Sequence, residues 1–265
     1  MVDPEFSPAF CDRRDGGATR IGLIVPSSNT TMETELPELF ARQTEVTGQR
    51  YTFHSARAAL KNVTKEELLA MVAKAADCAK SVSDADVDAI AYACLVAVMA
   101  QGPGAHVGSE EAIAKAAEEN GHPAEVVSSA GALVRTLEKL GAKKVAMLTP
   151  YMPPLTKMVA EYIEGADIEV TEAVALSVAD NLMVGCLDTD NLVALADQLD
   201  MTDVDAIVLS ACVQMPSLAA IEPVEQKLGV PVISAGTATA YETLVALGHK
   251  PQIQGAGKLL RGELI

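Results

Sequence analysis

Residues 21–30 read Ile-Gly-Leu-Ile-Val-Pro-Ser-Ser-Asn-Thr: an apolar run that ends at a proline and is followed by small polar residues. An unbroken apolar run of this length is typical of a strand that is buried on both faces of a sheet. Thr30 and Glu33 have the spacing of a capping box, which predicts that a helix begins here. The stretch therefore predicts the first strand and the first helix of a β–α–β unit.

Strand and helix patterns alternate along the rest of the chain. Further apolar runs predict strands at residues 50–58, 87–96, 144–148, 168–176, 204–211 and 230–235. Helix signals lie between them, including a capping pair at Thr64 and Glu67 and a first-turn proline at Pro153. Such alternation predicts an α/β protein with parallel sheets.

The order of predicted elements occurs twice, which indicates two similar halves. Val87–Ile90 and Val204–Ile207 both read Val-Asp-Ala-Ile, and each leads into a cysteine, Cys94 in the first half and Cys212 in the second. The second interval is one residue longer than the first. We expect a β-bulge or a shifted turn to accommodate that extra residue.

The composition of the 265-residue chain is that of a globular protein, with 49% apolar and only 3% aromatic residues. The net charge of −16 argues against nucleic acid and anionic membranes as partners, because both are bound through basic surfaces. No apolar run is long enough to span a membrane. Residues 1–19 carry no signal-peptide pattern, so we expect a disordered leader and a cytoplasmic protein.

The cysteines and histidines do not follow disulfide or metal-binding patterns. No cysteine pair is spaced as C-x-x-C and no histidine pair as H-x-x-x-H, so we expect neither a disulfide scaffold nor a metal site. Cys78 and Cys186 are interpreted as packing residues, and Cys11 as a bystander in the leader. Residues 102–104 lack the third glycine of a dinucleotide-binding motif, and we expect no cofactor.

Four residues with useful chemistry follow predicted strands directly: Asn29, Cys94, Tyr151 and Cys212. Ligands of open parallel sheets bind beyond the carboxyl ends of the strands, so two facing domains would bring these residues into one cleft. Each residue taken alone also has a structural interpretation, since cysteines often pack as small apolar residues and asparagine often caps a turn. The matched positions of Cys94 and Cys212 favour a functional pair.

Three motifs resemble the maleate cis–trans isomerases of the aspartate/glutamate racemase superfamily. They are Ile21–Thr30, the Tyr-Ala-Cys-Leu-Val-Ala segment at residues 92–97 and the Ser-Ala-Cys-Val segment at residues 210–213. The resemblance extends from about residue 20 to the C-terminus. It implies two flavodoxin-like α/β domains related by a pseudo-twofold axis. We expect the N-terminal domain to comprise residues 20–128 and 237–265, and the C-terminal domain residues 129–236.

The resemblance also implies roles for individual residues. Cys94 is expected to be the nucleophile, and Cys212 the proton donor and acceptor. Six further residues are expected around the substrate carboxylates, through the side chains of Asn29, Tyr151 and Asn181 and the backbone near Leu95, Val96 and Val213. Asn181 is selected by the resemblance alone. Family members resemble one another in forming homodimers, and we expect the same here.

The expected activity is isomerisation of a small dicarboxylate, maleate, to fumarate by conjugate addition of a cysteine thiolate. Two alternatives on the same fold are a cysteine-pair racemase and a decarboxylase. Racemases typically follow the first cysteine with Asn-Thr, where this chain has Leu95 and Val96, and arylmalonate decarboxylases keep only the second cysteine. An inert binding protein for small acids is a third alternative.

The thiolate needs stabilisation, for which we expect backbone N–H groups beyond the strand ends.

Overall fold

The structure is a computed structural model, in which residues 16–263 are described, apart from the side chain of Lys65. Within these residues the chain forms two four-stranded sheets in which every strand pair is parallel. Cys11 and most of the predicted leader lie outside the described residues, so the expectations for them stay predictions. The first strand begins at Thr19, inside the stretch for which a leader was predicted.

Both sheets have the same strand order. The first contains β1 (Thr19–Pro26), β2 (Tyr51–Ala58), β3 (Ala89–Tyr92) and β4 (Glu125–Ser128), in the order β2-β1-β3-β4. The second contains β5 (Lys144–Thr149), β6 (Glu169–Ala175), β7 (Ala206–Ser210) and β8 (Val232–Ser234), in the order β6-β5-β7-β8. The prediction of two similar α/β domains is confirmed.

Helices connect the strands and cover the sheets. Those of the first half are α1 (Met32–Thr47), α2 (Lys65–Ser83), α3 (Leu95–Met99), α4 (Ala105–Glu119) and α5 (Ser129–Lys139). Those that follow are α6 (Pro153–Glu164), α7 (Asn181–Val184), α8 (Thr189–Ala196), α9 (Leu218–Leu228), α10 (Ala235–Ala246) and α11 (Gly257–Arg261). No described helix is both long and apolar enough to cross a membrane.

The strand predicted at residues 87–96 is much shorter in the structure. It ends at Tyr92, and Leu95–Met99 forms the short helix α3. Every residue of α3 is buried, so its sequence is apolar throughout and lacks the periodicity that separates a helix from a buried strand. As a result Cys94 lies at the N-terminus of a helix, two residues beyond its strand.

The start of α1 also differs from the prediction. The capping box at Thr30 and Glu33 is wrong: α1 begins at Met32, and the side-chain oxygen of Asn29 accepts hydrogen bonds from the backbone N–H groups of Thr31 (3.1 Å) and Met32 (3.0 Å). The predicted cap at Thr64 is confirmed, since its hydroxyl accepts from the Glu67 N–H at 3.3 Å. The Asn29 carboxamide therefore caps the N-terminus of α1.

A β-bulge accommodates the extra residue of the second half. In the first sheet Tyr92 pairs with Ser128, which caps α5. In the second sheet the register shifts between Val208 and Ser210, so that Ser210 pairs with Ser234, which caps α10. Each catalytic candidate thus lies two residues beyond the strand residue that pairs with a capping serine, and the register shift takes up the extra residue.

Contacts across the chain join the two sheets. Helix α10 follows the second sheet but packs against α1, α5 and β4, whereas α11 packs against α9 and β8. Glu35 of α1 accepts hydrogen bonds from the N–H groups of Ser217 (2.7 Å) and Leu218 (2.8 Å) at the start of α9. The domain boundaries stay a prediction, but these contacts hold the carboxyl ends of both sheets against each other.

The close packing of α2 on β1 makes Gly22 sensitive to substitution. A Cβ atom at Gly22 would lie 2.9 Å from Val82 Cγ2 and 3.3 Å from Val87 Cγ2. We expect Gly22→Ala to lower the free energy of unfolding by about 1–3 kcal/mol through overpacking, measured by urea denaturation.

Two comparisons control this measurement. Gly108, inside α4, has no atom within 4 Å of an added Cβ, so Gly108→Ala should be neutral or stabilise by about 0.5–1 kcal/mol. Combining Gly22→Ala with Val82→Ala should cost less than the sum of the two single changes. Strict additivity would contradict the packing explanation.

Candidate active site

All eight residues expected at the site line one pocket between the carboxyl ends of the two sheets. The complete lining is Pro26, Asn29, Leu60, Val63, Cys94, Leu95, Val96, Tyr151, Asn181, Cys212, Val213 and Gln214. The volume open inside it is about 20 Å³, comparable to that of one water molecule. A four-carbon diacid is several times larger, so this closed cleft has to open before such a ligand binds.

Cys94 contributes the first thiol. It follows β3, precedes α3 and is only 1% exposed, with its Sγ 3.2 Å from the thioether sulfur of Met71. The pKa of the Cys94 thiol is raised to about 12, chiefly by burial; the N–H of Ala97 opposes this rise and the nearby Cys212 adds to it. The expected backbone donor is present, but burial outweighs it, and Cys94 is a neutral thiol in the closed cleft.

Cys212 contributes the second thiol and has more hydrogen-bond donors around it. Its Sγ accepts from the N–H of Gln214 at 3.3 Å, and it also interacts with the Tyr151 hydroxyl and the N–H of Met215. Burial raises the pKa of this thiol as well, and these three donors act in the opposite direction. Burial also raises the pKa of Tyr151 well above its usual value, so the phenol remains a donor.

Two asparagine amides connect the loops that surround the thiols. Asn29 donates from Nδ2 to the carbonyl of Val213 at 3.0 Å. Asn181, the first residue of α7, donates from Nδ2 to the hydroxyl of Ser28 at 2.7 Å. Each amide comes from one half of the chain and bonds a loop of the other half. The two amides therefore join the halves of the chain across the cleft.

Sequence reasoning selected Val213 but missed its neighbour Gln214, which is 3% exposed and lines the same pocket. The available signal was a polar residue two positions after a strand-end cysteine. A buried glutamine needs several hydrogen-bond partners, and those partners lie in distant parts of the chain.

A second pocket, of about 240 Å³, adjoins the first and shares Val63, Tyr151 and Asn181 with it. The rest of its lining is apolar, and Met152 in its wall is 47% exposed. In the described part of the chain, no group of three or more His, Cys, Asp or Glu side chains is arranged to hold a metal ion.

A thiol at the matched strand end of each sheet, with both thiols in one interdomain cleft, defines the class of the protein. It is an α/β protein with two similar parallel sheets and one cysteine from each half of the chain in a shared cleft.

Comparison with known proteins gives the family. The sequence model of the arylmalonate decarboxylase family matches residues 21–260. A maleate isomerase from Geobacillus stearothermophilus is 51% identical over 92% of this chain and 98% of its own length. With this identity over nearly the whole length of both proteins, the chain belongs to the maleate isomerase family.

Solved structures agree with this assignment. A cysteine-to-alanine mutant of the maleate isomerase Iso from Pseudomonas putida S16, crystallised with maleate, is 48% identical with a TM-score of 0.91, covering 92% of this chain and 98% of that one. A cysteine-to-serine mutant of the Nocardia farcinica maleate cis–trans isomerase, holding a covalently bound succinylcysteine intermediate, is 46% identical with a TM-score of 0.89, covering 92% and 99%.

The raised pKa values predict slow chemistry at both buried thiols in the free protein. At pH 8 iodoacetamide should alkylate Cys94 and Cys212 at least about tenfold more slowly than the exposed Cys186, because a thiol with a raised pKa holds little thiolate at that pH. Their rates should still be rising above pH 9. Peptide mass spectrometry gives each rate separately, and equal rates at the three cysteines would contradict the closed, neutral state.

Proposed function

We propose that the protein isomerises maleate to fumarate through a covalent adduct on Cys94, without a cofactor. The observation that carries the proposal is the pair of thiols in one pocket whose polar groups are amide, phenol and backbone donors. Such donors suit the two carboxylates of maleate. Family membership supports the same activity, as does the succinylcysteine intermediate of the Nocardia farcinica relative.

The first chemical step is addition. Opening of the cleft hydrates Cys94 and removes the burial that raises its pKa, so that the thiol loses its proton to solvent. The Cys94 sulfur then forms a bond to one olefinic carbon, and the second olefinic carbon takes the proton of Cys212. The product is a succinyl thioether, and Cys212 is left as the thiolate. Its three donors, which include the Gln214 N–H and the Tyr151 hydroxyl, stabilise that charge.

Rotation and elimination complete the cycle. The former double bond is now a single bond, and rotation about it moves the carboxylates apart. The Cys212 thiolate removes a proton from the carbon that it protonated, the carbon–sulfur bond to Cys94 breaks and fumarate is released. Asn29, Asn181 and Tyr151 hold the carboxylates and the charge that builds on them during addition. The cycle is redox-neutral: it returns Cys212 as the thiol and Cys94 as the thiolate, which takes back a proton from solvent.

A homodimer in the cytoplasm completes the proposal. The dimer is supported by the resemblance to the family. The cytoplasm is supported by the chemistry, because the mechanism needs two free thiols and reducing compartments keep thiols free. Sedimentation equilibrium of the purified protein should give twice the mass of one chain, and a single-chain mass across micromolar concentrations would contradict the dimer.

Proton NMR of maleate with purified protein and no added cofactor tests the activity. We expect the olefinic singlet of maleate to be replaced by that of fumarate. Cys94→Ala should lose activity by at least about a thousandfold, because the remaining pocket thiol, Cys212, cannot both form the adduct and relay the proton. Cys212→Ser should lose activity but gain the mass of one maleic acid on Cys94, since a serine is a poor proton relay.

The matched control is Cys186→Ser, which changes an exposed thiol outside the pocket and should keep wild-type turnover. Aspartate, glutamate and substituted malonates are offered to the same preparation. Turnover of one of these, with an unchanged maleate spectrum, would replace the isomerase by a racemase or a decarboxylase. Binding of maleate without turnover would indicate the inert binding protein.

A further inference from the structure

Gln214 connects three of the loops that line the pocket, while Cys94 and Tyr151 lie on two further loops. Its own loop, after β7, also carries Cys212. The second loop lies between β1 and α1, where the Gln214 Oε1 accepts from the Thr30 N–H at 2.8 Å. The third lies between β6 and α7, where its Nε2 donates to the carbonyl of Asn181 at 3.1 Å.

Further bonds strengthen this junction. The Nε2 group lies 3.3 Å from both the carbonyl of Ser28 and the hydroxyl of Thr30. The backbone of Gln214 takes part as well, since its carbonyl accepts from the Thr31 hydroxyl at 2.7 Å and its N–H donates to the Cys212 Sγ at 3.3 Å. One residue therefore links a reacting thiol to the loops that carry Asn29 and Asn181.

The surroundings of the Gln214 amide are tightly fitted. A Cβ atom at Gly185, the residue after α7, would lie 2.6 Å from Gln214 Nε2 and 2.7 Å from the Thr30 hydroxyl. The backbone of Gly185 has φ −69°, which any residue adopts, so only the close approach of Gln214 and Thr30 favours glycine here. Gly185→Ala therefore disturbs the junction without altering Gln214 itself.

We propose that Gln214 is a positioning residue that locks the three pocket loops together across the two domains when the cleft closes. The amide oxygen accepts from Thr30 of the first half, and the amide nitrogen also lies against Ser28 and Thr30 of that half. The same nitrogen donates to the carbonyl of Asn181 within its own half. The bonds to Thr30 and Ser28 therefore form only in the closed arrangement. Entry of the diacid has to open the cleft, which is closed to about 20 Å³ in the free protein, and we infer that these bonds re-form when the loops close over the bound diacid. The inference rests on the proposed isomerase for its kinetics, but not for its effect on the thiols.

Gln214→Ala removes the side-chain bonds and keeps those of the backbone. We expect KM for maleate to rise roughly tenfold, because the loops that carry Asn29 and Asn181 are no longer held together. Alkylation of Cys212 by iodoacetamide in the free protein should accelerate by about tenfold, because the cleft closes less often. The matched control is Gln198→Ala, an exposed glutamine in the turn after α8 whose amide donates to the carbonyl of Ala194, which should change neither value.

Gln214→Glu provides a test that a purely structural role would not pass. The carboxylate still accepts from Thr30, but its second oxygen faces the carbonyls of Asn181 and Ser28 and repels them. Protonation of the carboxyl group supplies a donor again, so the ratio of KM for Gln214→Glu to KM for Gln214→Ala should fall as the pH is lowered from 8 towards 5. Using the ratio cancels the titration of maleate itself.

Thermal unfolding and circular dichroism establish whether each variant is folded. If Gln214→Ala does not fold, the same measurements are made on Gly185→Ala. Folded variants with wild-type KM and wild-type alkylation rates would overturn the proposal. A lower melting temperature with unchanged KM and unchanged alkylation rate would also overturn the proposal, since Gln214 would then contribute to stability alone. If the wild-type protein does not convert maleate, the proposed function fails, while the alkylation comparison still tests the junction.

Discussion

Hydrogen bonds between the loops of the two sheets bring Cys94 and Cys212 to the same small pocket, and most other features of the site follow from that arrangement. Neither sheet alone can present both thiols, because each is anchored to a strand of its own sheet. The same closeness removes water and raises the pKa of both thiols. Closure thus protects an adduct but suppresses the thiolate that forms it, so the reaction requires a cleft that opens and closes.

The duplicated architecture supplies two similar strand ends that have become chemically different. Cys94 meets an apolar environment that includes Met71, whereas Cys212 is surrounded by three hydrogen-bond donors. A soft nucleophile that must leave again suits the first environment, and a thiol that alternates between acid and base suits the second. The register shift in β7 leaves each cysteine two residues beyond the strand residue that pairs with a capping serine, despite the extra residue.

The two sheets and the positions of both cysteines could be predicted from the sequence, because the same order of strands occurs in each half and a cysteine lies near the end of the equivalent strand. Apolar runs located the sheets, and the two Val-Asp-Ala-Ile segments located both cysteines. Helix α3 was missed because a fully buried helix carries no amphipathic signal, and the contribution of Gln214 was missed because its partners are 33 to 186 residues away in the chain. The burial that outweighs the backbone donors at Cys94 is likewise a property of the packed structure.

Asn29 has a consequence for how readily this site can be changed, by evolution or by design. Its carboxamide oxygen begins α1, and its amide nitrogen lines the pocket and bonds the opposite loop. A substitution that adapts this position to a new ligand also leaves two N–H groups of α1 without their acceptor. New specificity is therefore more accessible through Leu60 and Val63, whose side chains line the same pocket without such a commitment. Leu60 and Val63 can therefore be substituted to fit a new ligand, whereas Asn29 has to be kept for the start of α1.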